Sequence, residues 1–142
     1  MTTQEIETVR EGHFKLRHDL EYIRLAAQAL PKTFPEERHA LLERVLRYLR
    51  GTVLPHAEEE EESLYPAVAK LLGNPEATRT MTHDHLAIRP RIVELAATKE
   101  NEVDRLQELL YGLYALITVH FWKEDQLYLP LLERPPWPAF DG

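Results

Sequence analysis

Two stretches of this chain, His56 to Pro66 and His120 to Pro130, share one pattern of residues that can bind a metal ion. Each has Glu four residues after His, then an acidic residue, and ends with two large side chains and Pro. Side chains four residues apart on an α-helix lie on one face, about 6 Å apart along the axis, so each His and its Glu converge on one point. Iron and manganese accept imidazole nitrogen with carboxylate oxygen as readily as zinc does.

A single His and Glu at this spacing is weak evidence, because a chain with 7 His and 24 acidic residues contains such a pair by chance. His39 and Glu43 form a third match, but they lack the downstream pattern, and we interpret them as accidental. The evidence for a site is that the full pattern occurs twice in the same helical phase.

The composition limits what else the chain can be. A length of 142 residues fits one domain with a sizeable core. The absence of Cys excludes disulfides, iron–sulfur clusters and thiolate nucleophiles, so a metal must be held by nitrogen and oxygen. A formal net charge of −7 argues against binding to nucleic acid or to an anionic membrane. No apolar run is long enough to span a membrane and no signal peptide is recognisable, so we expect a cytoplasmic protein.

Apolar residues recur every three or four positions, which predicts an all-α chain. The predicted helices cover about residues 4–30, 36–72, 76–98 and 103–131, with a kink at Gly51 and Pro55 in the second and Gly73 at its end. The short links favour an up-down-up-down antiparallel four-helix bundle. We assign residues 1–134 to this bundle and residues 135–142 to a Pro-rich, non-helical tail, whose Trp137 and Phe140 are expected to lie against the bundle.

Six polar side chains interrupt the apolar stripes of the four predicted helices: His13, His56, Glu60, His85, His120 and Glu124. Polar groups in such positions destabilise a bundle unless they are paired or bound to something. We therefore predict that they share a bound metal. On the first helix, His13 lies in the stripe and near the depth of His56 and Glu60, whereas His18 lies off the stripe. His13 is our predicted ligand and His18 the alternative.

These residues resemble the hemerythrin-like family, also called the HHE cation-binding domain. Its pattern is one His on the first helix, His and Glu four residues apart before a Leu-Phe-Pro-like triplet on the second, one His on the third, and a second such pair on the fourth. The resemblance covers about residues 4–133, and the six matching residues are those named above. It implies a centre of two non-heme iron ions, bridged by the two Glu carboxylates and an oxo or hydroxo group, with the His ligands divided between the ions.

The chain departs from the oxygen-carrying hemerythrins that it resembles at one position. Those carriers have a second His four residues after the ligand of the third helix, where this chain has Arg89. They also use an Asp five residues after the His of the fourth helix, and Asp125 stands there beside Glu124. The missing His argues against reversible oxygen carriage. The remaining set of four His and two Glu is similar to the branch of the family linked to iron and to oxygen or nitric oxide chemistry.

The remaining polar and aromatic residues have simpler interpretations. The acidic run from Glu58 to Glu62 is mostly a solvated face, and His39 and His83 are expected to be exposed. Glu61 or Asp125 can accept a hydrogen bond from a ligand imidazole and so fix its tautomer. The aromatic residues at helical spacing are interpreted as core or core-edge residues rather than redox relays: Tyr65, Tyr114, Trp122 and Tyr128.

Three functions fit the sequence. The first is a di-iron protein that binds, senses or reacts with O₂, NO or H₂O₂. The second is an iron store, donor or sensor without turnover, and the third is a helical interaction module without a metal. We expect the small ligand to be the main partner of a monomer or weak homo-oligomer, without nucleic acid or membrane.

Overall fold

The computed structural model describes residues 1–133, which form an all-α four-helix bundle without a β-strand. The expected tail with Trp137 and Phe140 lies outside the described residues. The first bundle helix is α1, Thr3–Ala29. It begins at a capping box in which the Thr2 side chain accepts from the Glu5 amide and the Glu5 carboxylate accepts from the Thr2 amide. A 3-10 turn, Leu30–Lys32, ends it at Pro31.

The second bundle helix consists of α2 (Pro35–Tyr48), a π-helical turn (Leu49–Val53), α3 (Leu54–Glu62) and α4 (Leu64–Leu72). This π-helical turn lies where the sequence predicted a kink. Pro55 has no amide hydrogen to donate to the carbonyl of Gly51. The backbone hydrogen bonds of this turn therefore span five residues instead of four, as in the bond from the Leu54 amide to the Leu49 carbonyl. A second break at Ser63, with φ −123° and ψ −64°, was not predicted.

The second bundle helix ends at Gly73, as predicted, with a left-handed φ of 65°. The third is α5, Arg79–Ala97, with Pro90 inside it. The predicted start at Glu76 is wrong, since residues 75–78 form turns. In these turns the Asn74 side chain accepts from the Glu76 amide, and the Asn74 carbonyl accepts from the Ala77 amide.

The fourth bundle helix consists of α6 (Val103–Lys123), a second π-helical turn (Glu124–Tyr128) and α7 (Leu129–Glu133). The sequence predicted one helix to residue 131 and missed this turn. Pro130 removes the amide that the carbonyl of Gln126 would accept from, and the Leu129 amide bonds the Glu124 carbonyl instead.

The buried polar residues separate two apolar clusters along the bundle axis. The large cluster joins all four bundle helices and includes Ile23, Leu49, Ile92 and Leu110. The small cluster consists of six residues: Ile6, Leu64, Tyr65, Val68, Met81 and Leu129. Within residues 1–133, none of the helices combines the length and the apolar character that crossing a bilayer requires.

Candidate metal centre

All six residues predicted from the sequence lie together between the two apolar clusters. His13 comes from α1, His56 and Glu60 from α3, and His85 from α5. His120 lies near the end of α6, and Glu124 opens the second π-helical turn. Five of the six are buried, and the side chain of His56 is 18% exposed. The alternative ligand of α1, His18, is exposed and lies away from the group.

The imidazoles form two pairs. Nε2 of His13 lies 3.0 Å from Nε2 of His56, and Nε2 of His85 lies 3.0 Å from Nε2 of His120. The pairs draw on different helices, so the bundle itself sets the distance between the two nitrogens of each pair. Each pair presents two nitrogen donors to one small volume.

The two buried carboxylates reach both pairs. In Glu60, Oε2 is 3.4 Å from Nε2 of His13, while Oε1 is 3.8 Å from Nε2 of His120. In Glu124, Oε1 is 3.5 Å from Nε2 of His13, while Oε2 is 3.4 Å from Nε2 of His120. Two groups of side chains could each hold a metal ion, because the ligand atoms within a group lie within 4.8 Å of one another. One group is His13, His56, Glu60 and Glu124, the other is Glu60, His85 and His120, and Glu60 belongs to both.

Three imidazoles are oriented from outside by carboxylates. Asp125 Oδ1 lies 2.8 Å from Nδ1 of His13, and Glu61 Oε1 lies 2.7 Å from Nδ1 of His85, in the roles that the sequence suggested for them. Asp84 Oδ2 lies 2.9 Å from Nδ1 of His120, which the sequence analysis missed. A carboxylate only accepts, so each Nδ1 carries a proton and each Nε2 faces the centre, where it can bind either a proton or a metal ion.

The residues fit a bound cation. Both oxygens of Glu60 and Oε1 of Glu124 are buried without a hydrogen-bond partner among the described residues. Facing lone pairs of imidazoles 3.0 Å apart repel each other unless a proton or a cation lies near them. A cation satisfies the carboxylates and the imidazoles at once, which protein hydrogen bonds do not do here.

The electrostatics show how strongly positive charge is favoured at the imidazoles. Burial lowers the pKa of His13, but its hydrogen bond to Asp125 and the nearby glutamates outweigh burial and raise the pKa to about 9. Burial is likewise outweighed at His120, where the hydrogen bond to Asp84 and the same glutamates raise the pKa to about 11. Protons and a metal ion therefore compete for the same nitrogens.

The two glutamates divide their protonation unequally. Burial, and then the neighbouring Glu60, raises the pKa of Glu124 to about 8. Burial opposes ionisation of Glu60 as well, but its contacts with Glu124 and His120 outweigh burial and hold its pKa well below the ordinary value. One proton on the pair limits the repulsion between them, and a cation relieves that repulsion without the proton.

Tyr65 is the main feature that the sequence analysis missed. It belongs to the small apolar cluster, in agreement with its interpretation as a core residue, but its hydroxyl also lies at the centre, 2.8 Å from Oε2 of Glu124. On a continuous helix, a residue five positions after Glu60 is rotated from it by about 140°. The unpredicted break at Ser63, where the dihedral angles are not helical, lies between the two residues, so this helical spacing does not apply to them.

The other predicted residues lie outside the centre. His39 and His83 are exposed, as expected, and His39 pairs with Glu43 and Glu100. In the acidic run, Glu58, Glu59 and Glu62 are exposed and Glu61 is partly exposed, whereas Glu60 is 4% exposed. The guanidinium of Arg89 lies 3.3 Å from Glu61.

A small cavity of about 10 Å³ adjoins the centre. Its walls combine His56, Glu60, His85 and His120 with apolar residues of three bundle helices: Val53, Leu54, Ala57, Ile88, Ile117 and Phe121. This is about the space that one water-sized molecule needs.

Comparison with known protein families agrees with this geometry. The family model described as the hemerythrin HHE cation binding domain matches residues 4–132, which include all six residues of the centre. Comparison with curated proteins and with solved structures gave no match. With the match extending over nearly the whole chain, this protein belongs to the hemerythrin HHE cation-binding domain family.

Proposed function

We propose that this chain is a non-heme di-iron protein that binds or reacts with a small diatomic or peroxide ligand: O₂, NO or H₂O₂. The observation that carries the proposal is the position of the two carboxylates. Glu60 and Glu124 each reach His13 on one side and His120 on the other. Two ions, one for each imidazole pair, would be held by these imidazoles and by both carboxylates, and would pair the inward oxygens that have no hydrogen-bond partner.

Iron is the metal that we propose, since the donor set accepts it and the resemblance to hemerythrin-like proteins implies it. Nitrogen and oxygen ligands without thiolate suit iron, and the matching family is described as cation binding. Bound iron supplies the one-electron and O₂ chemistry that the side chains lack. The side chains hold the ions, fix the direction of the imidazoles through Asp84, Glu61 and Asp125, and keep the two carboxylates between them.

The size and the walls of the cavity support a small ligand. Ile88, Ile117 and Phe121 present apolar surface beside the histidines, and the volume is close to that of one water-sized molecule. Apolar walls exclude bulk water and larger substrates from the centre. The ring of Phe121 also stacks on His13 with centroids 5.2 Å apart, which helps to hold that imidazole in place.

The test is an optical titration of anaerobically iron-loaded protein with O₂, NO and H₂O₂ in separate samples. We expect at least one of them to change the absorption of the centre. Zinc-loaded protein is the control, because zinc has no redox chemistry and its spectrum should not respond. A spectrum that is indifferent to all three ligands removes ligand handling, and iron that a chelator then removes easily points to the alternative of storage, delivery or sensing.

A further inference from the structure

The hydroxyl of Tyr65 occupies a position among the metal-binding atoms. Tyr65 is 3% exposed and extends from α4, beyond the break at Ser63. Its oxygen lies 2.9 Å from Nε2 of His120, 3.1 Å from Nε2 of His85 and 2.8 Å from Oε2 of Glu124. Those three atoms, with Glu60, belong to the side chains that we assign to the ion of the His85 and His120 pair.

These distances match those between neighbouring ligands of one ion. Metal–nitrogen and metal–oxygen bonds of about 2.1 Å at right angles put adjacent donor atoms about 3.0 Å apart. The distance between the two imidazole nitrogens is 3.0 Å, and the three distances from the tyrosine oxygen scatter around the same value. The hydroxyl therefore lies where a further ligand of this ion belongs.

Hydrogen bonds between neutral imidazoles, the phenol and an ionised Glu124 do not account for all of these contacts. The four atoms make four short contacts, counting the one between the two imidazoles. Tyr65 donates its one proton to Glu124, while the Nδ1 protons of His85 and His120 are directed at outer carboxylates. The other three contacts then join lone pair to lone pair, which a cation among these atoms would make favourable.

We propose that the phenolate oxygen of Tyr65 is a ligand of the iron ion held by His85 and His120. This inference rests on the proposed di-iron function and adds a fifth protein donor to the two imidazoles and two bridging carboxylates of that ion. On binding, the O–H bond breaks and an oxygen–iron bond forms from the oxygen lone pair. The proton, which the hydroxyl donates to Glu124 in the metal-free chain, is released to solvent. No electron is transferred.

A bound ion is needed for this ligand to ionise. Burial, and then the carboxylates of Glu60 and Glu124, raise the pKa of Tyr65 well above its ordinary value. The phenol therefore keeps its proton in the metal-free chain. A cation beside the oxygen reverses this preference, because a metal ion favours the deprotonated form of the groups that it binds.

The experiment compares ferric protein with its Tyr65→Phe and Tyr48→Phe variants by iron analysis, optical absorption and resonance Raman spectroscopy. Both substitutions remove only a hydroxyl, and Tyr48 is a matched control because its hydroxyl donates to the carbonyl of Leu16, away from the centre. We expect phenolate ring vibrations, enhanced in a visible charge-transfer band, in the parent and in Tyr48→Phe. They should be absent from Tyr65→Phe.

A second measurement does not depend on the folding of the variant. Ring-deuterated tyrosine incorporated into the parent should shift the enhanced vibrations. A parent that binds two irons without phenolate vibrations, or a Tyr65→Phe variant that keeps them, overturns the tyrosine ligand while the di-iron function stands. A chain that takes up no iron overturns both.

Discussion

Three of the four histidines of the centre use both ring nitrogens, with Nε2 toward the centre and Nδ1 bound to a carboxylate. The carboxylate sets the tautomer, limits rotation of the ring and makes Nε2 a stronger donor. In the described part of the chain, His56 has no such partner at Nδ1, and it is also the most exposed of the four. The outer carboxylates should therefore contribute to metal affinity at three of the four positions.

Glu61 and Glu62 offer a matched test of this contribution. Glu61 accepts from Nδ1 of His85, whereas its neighbour Glu62 is exposed on the solvated face. We expect Glu61→Ala to weaken iron binding about 10–100-fold, the usual effect of losing such a partner, and Glu62→Ala to leave it unchanged. Competition with a chelator measures both affinities. Equal affinities in the two variants would show that the outer carboxylate does not support the centre.

The metal-free protein should lose stability as the pH rises from about 7 to about 9. The raised pKa values of His13 and His120 stabilise the fold fully below their ordinary value of 6.5, and this contribution is lost as the pH rises toward about 9 and about 11. The pKa of Glu124, raised from 4.5 to about 8, lowers stability as the pH rises between these two values, so the last part of this loss falls in the same range. Glu60 and His85, whose pKa values are lowered, change charge below it.

Urea unfolding of chelator-treated protein at about pH 7 and about pH 9 measures this dependence. The midpoint should fall at the higher pH. A midpoint that stays the same or rises would mean that the buried imidazoles do not hold protons as the structure indicates.

At the scale of the helices, the two π-helical turns share one local cause. Each ends directly before Leu and Pro: Leu54 and Pro55 in the second bundle helix, Leu129 and Pro130 in the fourth. Proline removes the amide that would continue the α-helical pattern, and the extra residue in the turn rotates the helical segment after it. One turn directly precedes α3, which carries His56, and the other begins at Glu124.

Two glycines of the second bundle helix should respond in opposite ways to replacement by Ala. Gly51 lies in the first π-helical turn, without positive φ and without a heavy atom within 4 Å of an added Cβ, so Gly51→Ala should stabilise the protein by about 0.5–1 kcal/mol. Gly73 has φ of 65°, so Gly73→Ala should destabilise it by about 1–2 kcal/mol. Urea unfolding of the metal-free variants measures both, and destabilisation by Gly51→Ala would contradict the first.

The sequence predicts what depends on periodicity and misses what depends on local breaks. The 3.6-residue repeat predicts four bundle helices and puts six polar residues in phase, because helix faces follow from spacing alone. The break at Ser63 and the π-helical turn that begins at Glu124 do not follow from this repeat, so the sequence analysis missed them. Tyr65 follows that break by two residues, and the role of Asp84 depends on how α5 packs against α6.

At the scale of the whole molecule, the polar centre divides the core into two parts of unequal size. The large apolar cluster holds α2 and most of the other helices together, whereas the small cluster joins the start of α1 to α4, α5 and α7. The small cluster has only six buried residues. The stability of its end of the bundle therefore depends more on whether the polar groups of the centre have binding partners.

Removal of the metal should therefore loosen one end of the bundle. We expect hydrogen exchange to become faster in α4, α7 and the first turns of α1 after treatment with a chelator. Protection in α2, which packs on the large cluster, should change little. An even loss of protection along the chain would indicate that the metal holds the whole bundle instead.

The most direct test of a di-iron centre is the iron content of anaerobically purified protein and of three variants. Glu60→Ala and His120→Ala remove a carboxylate that we propose as a bridge and an imidazole of the centre, while Glu59→Ala removes an exposed carboxylate one residue away from Glu60. Elemental analysis should give about two irons per chain in the parent and in Glu59→Ala, since each imidazole pair provides one site. The content should fall sharply in the other two variants. Iron that is absent from the parent, or retained in full by both Glu60→Ala and His120→Ala, would contradict the centre described here.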